Sequence, residues 1–293
     1  ASAKGGVGKT TTVANLGAVL ATAGEDVAVV DADIGMANLA DTLGIDPDGA
    51  TLHDVLAGTA ALEDALYEGA DGLTVLPGSA ALEDYRTANL DGLADVLATL
   101  AEDHEYVLVD TGAGLNHDAV RPLEAVDEVI LVSTPQPQAL GDTDKTRSLV
   151  ERLGGNIAGL VLTRAGPEAT TGAVEANVLG RTPDDTATDE AVSAGEPVVS
   201  VAPATPAADA YRGLVTALFE VDVTTPETGK DPVESAAATE PTTESGPPED
   251  GTTGVETGTA EPPIGSDAGA AEATAGDAEN SGTDTPDTEE GAV

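Results

Sequence analysis

Five short apolar runs, separated by longer stretches of helical pattern, constrain the fold of this chain more than any other feature. Each run is rich in Val and Leu and almost continuously apolar, which is typical of strands buried on both faces of a parallel sheet. Helical stretches such as 11–24 and 91–103 lie between the runs. We therefore predict an α/β fold, a doubly wound and mostly parallel sheet with helices on both faces. The runs are DVAVVDAD (26–33), GLTVLPG (72–78), YVLVDTG (106–112), EVILVSTP (128–135) and AGLVLTR (158–164).

The last part of the chain differs sharply in composition from the rest. Residues 223–293 consist mainly of Pro, Thr, Glu, Gly, Ala and Ser, with few apolar side chains. Such a segment cannot bury enough apolar surface to offset the entropy lost on ordering. We therefore predict a folded domain over 1–222, followed by a disordered acidic tail over 223–293. The tail would act as a solubilising bristle or as an interaction segment.

The chain is strongly acidic, with 54 Asp and Glu against 11 Lys and Arg and a formal net charge of −43. Residues 223–293 hold 17 of the acids and one lysine, so residues 1–222 keep 37 acids and ten bases, a net charge of −27. Disorder of the tail therefore does not account for the acidity. A carboxylate-rich surface on a folded domain is typical of halophilic archaea, and we expect adaptation to high intracellular salt. The same charge repels nucleic acid and anionic lipid.

The chain contains no cysteine, which excludes disulfides, thiolate metal sites and iron–sulfur clusters held by Cys. No apolar run approaches the ~18 residues of a membrane span, and nothing resembles a signal peptide. We therefore expect a soluble, cytoplasmic protein. His53, His104 and His117 have no partner at ligand spacing, and we interpret all three as ordinary loop or helix-end residues.

The chain opens with ASAKGGVGKTTT, a glycine-rich turn in front of a helical stretch. Gly5, Gly6 and Gly8 permit the positive φ values with which successive backbone N–H groups, backed by the helix dipole, surround a phosphate. Lys9 would then lie over the β- and γ-phosphates of a nucleotide, and the Thr10 hydroxyl would bind Mg²⁺.

Lysine is rare in this chain, and its placement singles out the opening turn. Residues 1–222 contain three lysines, and two of them, Lys4 and Lys9, lie in this turn. The usual phosphate-loop pattern would have glycine where this chain has Ala3.

Carboxylates follow two of the apolar runs. VVDADIG (29–35) places Asp31 and Asp33 at the carboxyl end of a strand, where open α/β sheets bind their ligands. Alternate residues of a strand face the same side, so both carboxylates can point at one Mg²⁺–phosphate centre. YVLVDTGAGLN (106–116) similarly places Asp110 before a glycine-rich turn.

These motifs occur in the order KGGVGKTT, DADIG, DTGAG and GEPV, and together they resemble the deviant Walker A ATPases of the MinD/ParA family. The resemblance extends from Ala1 to about Phe219. It implies ATP and Mg²⁺ as cofactors, an ATP-dependent homodimer, and slow ATP hydrolysis that a partner stimulates. It also assigns Lys4 to the nucleotide of a second subunit, and in this family the position of Ala3 is free to vary.

The resemblance implies a function for each matching residue. Asp33 would position or activate the attacking water, Asp31 would support the metal shell, Asp110 would hold Mg²⁺ through water, and Gly112 would sense the γ-phosphate. Catalysis would thus involve Asp33, Lys4 and Lys9, and the metal would be held by Thr10, Asp31, Asp33 and Asp110. Nucleotide contacts are predicted for Lys4, Gly5, Gly6, Val7, Gly8, Lys9, Thr10, Thr11, Gly112, Thr163, Arg164, Pro183, Asp184 and Asp185. At the base, many relatives have Asn-Arg in place of Thr163-Arg164.

Within the family, the motifs favour a MinD-like protein that directs the placement of a division site or polar structure. The alternatives are a ParA-like partition ATPase for DNA or cargo and a non-hydrolysing, ATP-gated scaffold. The net charge disfavours direct DNA binding, which needs a basic surface. The final GTDTPDTEEGAV lacks the basic amphipathic helix of an autonomous membrane anchor. We expect an unidentified activator or cargo protein to recruit the chain to the membrane or the poles.

The start of the chain departs from the family pattern. Relatives begin with further apolar residues that form a central first strand, which here is reduced to 1–3. We expect that the start of the sequence is mis-set or processed, and that a domain beginning at Ala1 would have low stability.

Overall fold

The computed structural model describes residues 1–223, and their strands form two groups. One group has the order β2-β3-β1-β4 and the other the order β5-β6-β7. All pairs are parallel except β2 with β3. The strands are β1 (Val27–Ala32), β2 (Tyr67–Glu68), β3 (Thr74–Leu76), β4 (Tyr106–Thr111), β5 (Glu128–Ser133), β6 (Asn156–Leu162) and β7 (Val178–Arg181).

The five predicted strands correspond to β1, β3, β4, β5 and β6. The sequence did not predict β2 or β7, because β2 has two residues and β7 is a half-buried four-residue strand without a continuous apolar run. The predicted disordered tail lies outside the described residues, apart from Val223.

Helices cover both faces of the sheet, as predicted. Val27 and Val29 of β1 pack in one apolar cluster, with residues of the first and last helices, whereas Ala28 and Val30 pack in another. The helices are α1 (Lys9–Ala23), α2 (Leu39–Thr42), α3 (Leu52–Ala57), α4 (Leu82–Thr87), α5 (Leu93–Asp103), α6 (His117–Glu124), α7 (Pro137–Leu153), α8 (Thr186–Ala194), α9 (Val198–Val201) and α10 (Pro206–Phe219). Short 3₁₀ turns occur at Leu62–Ala65, Ala70–Gly72 and Leu90–Gly92.

Helix α1 packs closely on β1, which places its first turn at the carboxyl edge of the sheet. A Cβ atom on Gly17 would lie 2.7 Å from Cγ1 of Val29, so a larger residue would push the helix away. The helix ends at Gly24, which has φ 88°, at the predicted stop.

The first residues of the chain lie between β4 and β5. The Val132 amide donates to the Ala1 carbonyl at 3.0 Å, and Ser2 forms a parallel bridge with Ala113. A cavity of about 280 Å³ lies between the rest of these two strands, and Lys9 and Asp110 are among the residues that line it. Within residues 1–223, no helix combines the length and apolar character needed to cross a bilayer.

Candidate functional site

The glycine turn opens the first turn of α1 toward a cavity. Gly6 and Gly8 have φ values of 72° and 90°, whereas Gly5 is outside the positive region. Gly8 is the residue that caps α1, so the unpaired amides of the first helical turn face outward, as a phosphate site requires.

This phosphate-side cavity has a volume of about 500 Å³. Lys4 and Val7 are the predicted turn residues that do not line it. Lys4 is half-buried, and Val7 is buried against Val132 and Ala139. The predicted residues that do line it are Gly5, Gly6, Gly8, Lys9, Thr10, Thr11, Asp33, Gly112 and Arg164.

Asp110 lies beneath the turn with one carboxylate oxygen free of protein partners. Its Oδ2 accepts a hydrogen bond from the Thr10 hydroxyl at 2.5 Å, and its Oδ1 is buried without a hydrogen-bond partner among the described residues. Burial raises the pKa of Asp110, while Thr10 and Lys9 oppose that shift. A buried, unpartnered carboxylate oxygen beside a threonine hydroxyl fits an Mg²⁺ site that water and phosphate oxygens complete.

Protein side chains alone do not form a complete metal site in the described part of the chain. Over residues 1–223, no three His, Asp or Glu side chains are grouped so that they could hold an ion by themselves.

Asp31 lies opposite Asp110 in the register of β1 and β4 and is fully buried. Burial, followed by the nearby Asp110, raises the pKa of Asp31 to about 7. Its Oδ2 accepts the amides of Asn38 and Leu39, both at 2.9 Å, and its Oδ1 accepts the Asp33 amide at 3.2 Å. Both carboxylate oxygens thus accept hydrogen bonds from backbone amides. The function of Asp31 in the metal shell stays a prediction.

Asp33 and Gly112 face each other in the wall of the phosphate-side cavity. Asp33 Oδ1 accepts the Met36 amide at 3.2 Å. A Cβ atom on Gly112 would lie 3.0 Å from the same oxygen. Because a side chain at position 112 would push against Asp33, the glycine lets the carboxylate approach the turn after β4.

A smaller cavity of about 100 Å³ adjoins the turn on the side of β6 and β7. Thr163 donates its hydroxyl to the Val7 carbonyl at 2.6 Å and is also 3.2 Å from the Ser133 carbonyl. Arg164 has φ 48° and donates to the Gly6 carbonyl at 3.2 Å. The cavity brings together all the predicted base-side residues, namely Thr163, Arg164, Pro183, Asp184 and Asp185.

Three features of the site were missed from the sequence. His53, interpreted as an ordinary helix-end residue, is 1% exposed and bonded through both ring nitrogens. Tyr85 donates its hydroxyl to Asp118 at 2.8 Å, and both residues line the phosphate-side cavity. Tyr211 is buried in the wall of the base-side cavity. Each feature depends on residues far apart in the chain, so no local pattern indicates it.

Comparison with known proteins places this arrangement in a family. A model of the CobQ/CobB/MinD/ParA nucleotide binding domain matches residues 1–198. An uncharacterized ATP-binding protein of Methanocaldococcus jannaschii is 37% identical over 226 residues, which cover 75% of this chain and 86% of that protein.

Two solved structures have the same fold. The cell division ATPase MinD of Pyrococcus furiosus has a TM-score of 0.72 at 38% identity, covering 75% of this chain and 97% of that one. The septum site-determining protein MinD of Pyrococcus horikoshii, complexed with Mg-ADP, has a TM-score of 0.70 at 36% identity, covering 73% and 91%. This chain therefore belongs to the CobQ/CobB/MinD/ParA family of nucleotide-binding domains.

Proposed function

We propose that this chain is a MinD-like ATPase that binds Mg-ATP, forms a homodimer in the ATP state and hydrolyses ATP slowly until a partner protein stimulates it. One observation supports this function above all others. The first turn of α1 presents Lys9 and Thr10 to one cavity, and behind Thr10 lies Asp110, which accepts the Thr10 hydroxyl through Oδ2 and has a buried Oδ1 without a hydrogen-bond partner among the described residues. That combination suits a magnesium-bound polyphosphate.

The side chains have separate tasks in this reaction. The turn amides and Lys9 bind the phosphates, while Thr10 and Asp110 would hold Mg²⁺, which neutralises phosphate charge when bound. Asp33 accepts a hydrogen bond from the attacking water and directs it at the γ-phosphate. Gly112 leaves room for that carboxylate and for the terminal phosphate beside it.

Lys4 would act on a second copy of the chain. Its position outside the lining of the phosphate-side cavity leaves it available to a nucleotide held by the other subunit. This agrees with the family pattern, in which the first lysine of the turn closes an ATP sandwich dimer.

The wider cellular task would be spatial organisation, such as placement of a division site or polar structure. The two Pyrococcus relatives, both called MinD, support this assignment over a ParA-like one. The net charge of −43 opposes direct contact with DNA or anionic lipid. We infer that a partner protein recruits the chain, and that its acidic surface is an adaptation to high salt.

Light scattering coupled to size exclusion, in molar KCl, tests the function together with phosphate release. Asp33→Ala should lower turnover by roughly a hundredfold or more and give a dimer with Mg-ATP but a monomer with Mg-ADP. Lys4→Ala should bind ATP as the parent chain does and remain a monomer. A parent chain that releases no phosphate would contradict the enzyme. An Asp33→Ala variant that is equally monomeric in both nucleotides would contradict the ATP-gated dimer.

A further inference from the structure

The loop that contains Asp33 is held by hydrogen bonds to two side chains outside it. Residues 33–38, which we call the Asp33 loop, run from the end of β1 to the start of α2. Asp31 binds both ends of this loop through the amides of Asp33, Asn38 and Leu39. In between, Gly35 and Met36 are exposed and line the phosphate-side cavity.

His53 forms a further hydrogen bond to the loop, at Ile34. The Ser79 amide donates to its Nδ1 at 2.9 Å, and its Nε2 lies 3.0 Å from the Ile34 carbonyl. An amide N–H can only donate, so Nδ1 must accept, and Nε2 carries the proton that is donated to Ile34. The ring therefore bridges the residue next to Asp33 and the loop after β3.

Hydrogen bonds at the start of α3 orient the His53 ring toward the Asp33 loop. Thr51 and Asp54 form a capping box at the start of α3, and the Leu52 amide donates to the Pro77 carbonyl at 2.8 Å. The capping box fixes the first turn of α3, and the bond from Leu52 attaches it to the segment just before Ser79. The imidazole is thus buried between two loops and has little freedom to turn.

We propose that His53 is a positioning residue for ATP hydrolysis, because it holds the Ile34 carbonyl and thereby fixes the neighbouring Asp33 toward the attacking water. This inference rests on the proposed function, since it assigns His53 to the same reaction. His53 itself does not line the phosphate-side cavity, so it acts through the Asp33 loop. Loss of the bridge should therefore lower kcat and leave ATP binding nearly unchanged.

Amide side chains can separate the two hydrogen bonds. Gln places its amide nitrogen as many bonds from Cβ as Nε2 of His, so His53→Gln can still donate to Ile34. Asn places its oxygen at the distance of Nδ1, so His53→Asn can accept from Ser79 but cannot reach Ile34. His53→Met fills the volume without either bond and provides a variant for measurement should His53→Asn fail to fold.

The experiment measures kcat and KM for ATP in the full chain at high KCl, together with hydrogen exchange of the amides of residues 34–39. His53→Asn and His53→Met should lose about tenfold in kcat, exchange faster over 34–39, and keep KM within about twofold. His53→Gln should restore both properties. Leu56→Val, which alters the buried face of the same helix, should lower stability without affecting kcat.

The outcomes separate this inference from the function on which it rests. A parent chain without turnover refutes the proposed function, whatever the variants do. A parent chain with turnover, and His53→Asn or His53→Met with an unchanged kcat, refutes the positioning by His53. Equal loss in His53→Gln and His53→Asn, or an equal loss in Leu56→Val, would also overturn it, because stability alone would then explain the effect.

Discussion

The two halves of the sheet present different chemistry at the same edge. Strands β1 and β4 have Asp31 and Asp110 as their next-to-last residues, two carboxylates that are adjacent in register and almost fully buried. Strand β6 ends next to Thr163, a neutral hydroxyl that already donates to a backbone carbonyl. The glycine turn runs between the two halves and contacts both.

This difference indicates which part of a ligand each half receives. Burial raises the pKa of both carboxylates, so that half is costly in its ionised form until a cation arrives. In the other half, Thr163 and Arg164 hold the carbonyls of Val7 and Gly6. The first half thus suits magnesium and phosphate, and the second sets the shape of the turn, next to the cavity where we predict that the base binds.

The largest expected effect comes from removing the ammonium group of Lys9, which lies near Asp110. Lys9→Ala should weaken ATP binding by roughly a hundredfold or more, because the phosphates would then meet Asp110 without an opposing ammonium. Calorimetric titration with Mg-ATP measures this loss. The matched control is Lys145→Ala, since Lys145 is 65% exposed and pairs with Asp142 on α7. Equal binding by the Lys9→Ala variant would remove the phosphate assignment.

The paired acids also predict how stability changes with pH. The pKa of Asp31 is raised from 3.8 to about 7, so the folded state binds this proton more tightly than the unfolded state. Its contribution is fully present below the unfolded value and is lost as the pH rises through 7. Even half of that pKa shift would contribute on the order of 2 kcal/mol to the free energy of unfolding.

Denaturation of the nucleotide-free chain in Mg²⁺-free, high-salt buffer checks this at several pH values. The free energy of unfolding should fall more steeply with rising pH in the parent chain than in Asp31→Asn, which lacks the titrating group. Carboxylates remote from Asp31 are common to both proteins and cancel in the difference, so the difference reports Asp31 together with its neighbour Asp110. Parallel pH profiles for the two proteins would show that Asp31 is ionised in the folded state at no cost.

The sequence predicted the parts of this comparison that arise from local pattern. The apolar runs predicted five strands, and Gly5, Gly6 and Gly8 before Lys9 predicted the glycine turn at the start of α1, because backbone preference and helix start lie within a few residues. Of these glycines, Gly6 and Gly8 have positive φ, and phosphate binding stays a prediction. The position of Asp110 followed from the same logic, since parallel strands share a carboxyl edge.

Other parts depend on contacts between distant segments. Arg164 and Gly6, which are bonded in the structure, are separated by 158 positions. His53 reaches Ile34 and Ser79 only when the start of α3 is bonded to the segment after β3. Its local sequence is that of an ordinary helix-end histidine. The base-side residues were predicted from family resemblance, but the bond from Thr163 to Val7 was not, because it depends on the seam between the two halves.

The smallest expected effect concerns Thr163, in the half of the sheet that contains β6. Thr163→Val keeps the shape of the side chain but leaves the Val7 carbonyl without the hydroxyl that binds it. We expect a loss of about 1 kcal/mol, or roughly fivefold in ATP affinity, because the turn becomes less ordered. Thr163→Ser retains the hydroxyl and should bind ATP nearly as the parent chain does. Titration with both ATP and inorganic triphosphate decides the cause: a loosened turn weakens both ligands equally. A loss confined to ATP would instead mean that the hydroxyl contacts the base, and the half that contains β6 would then recognise the nucleotide directly.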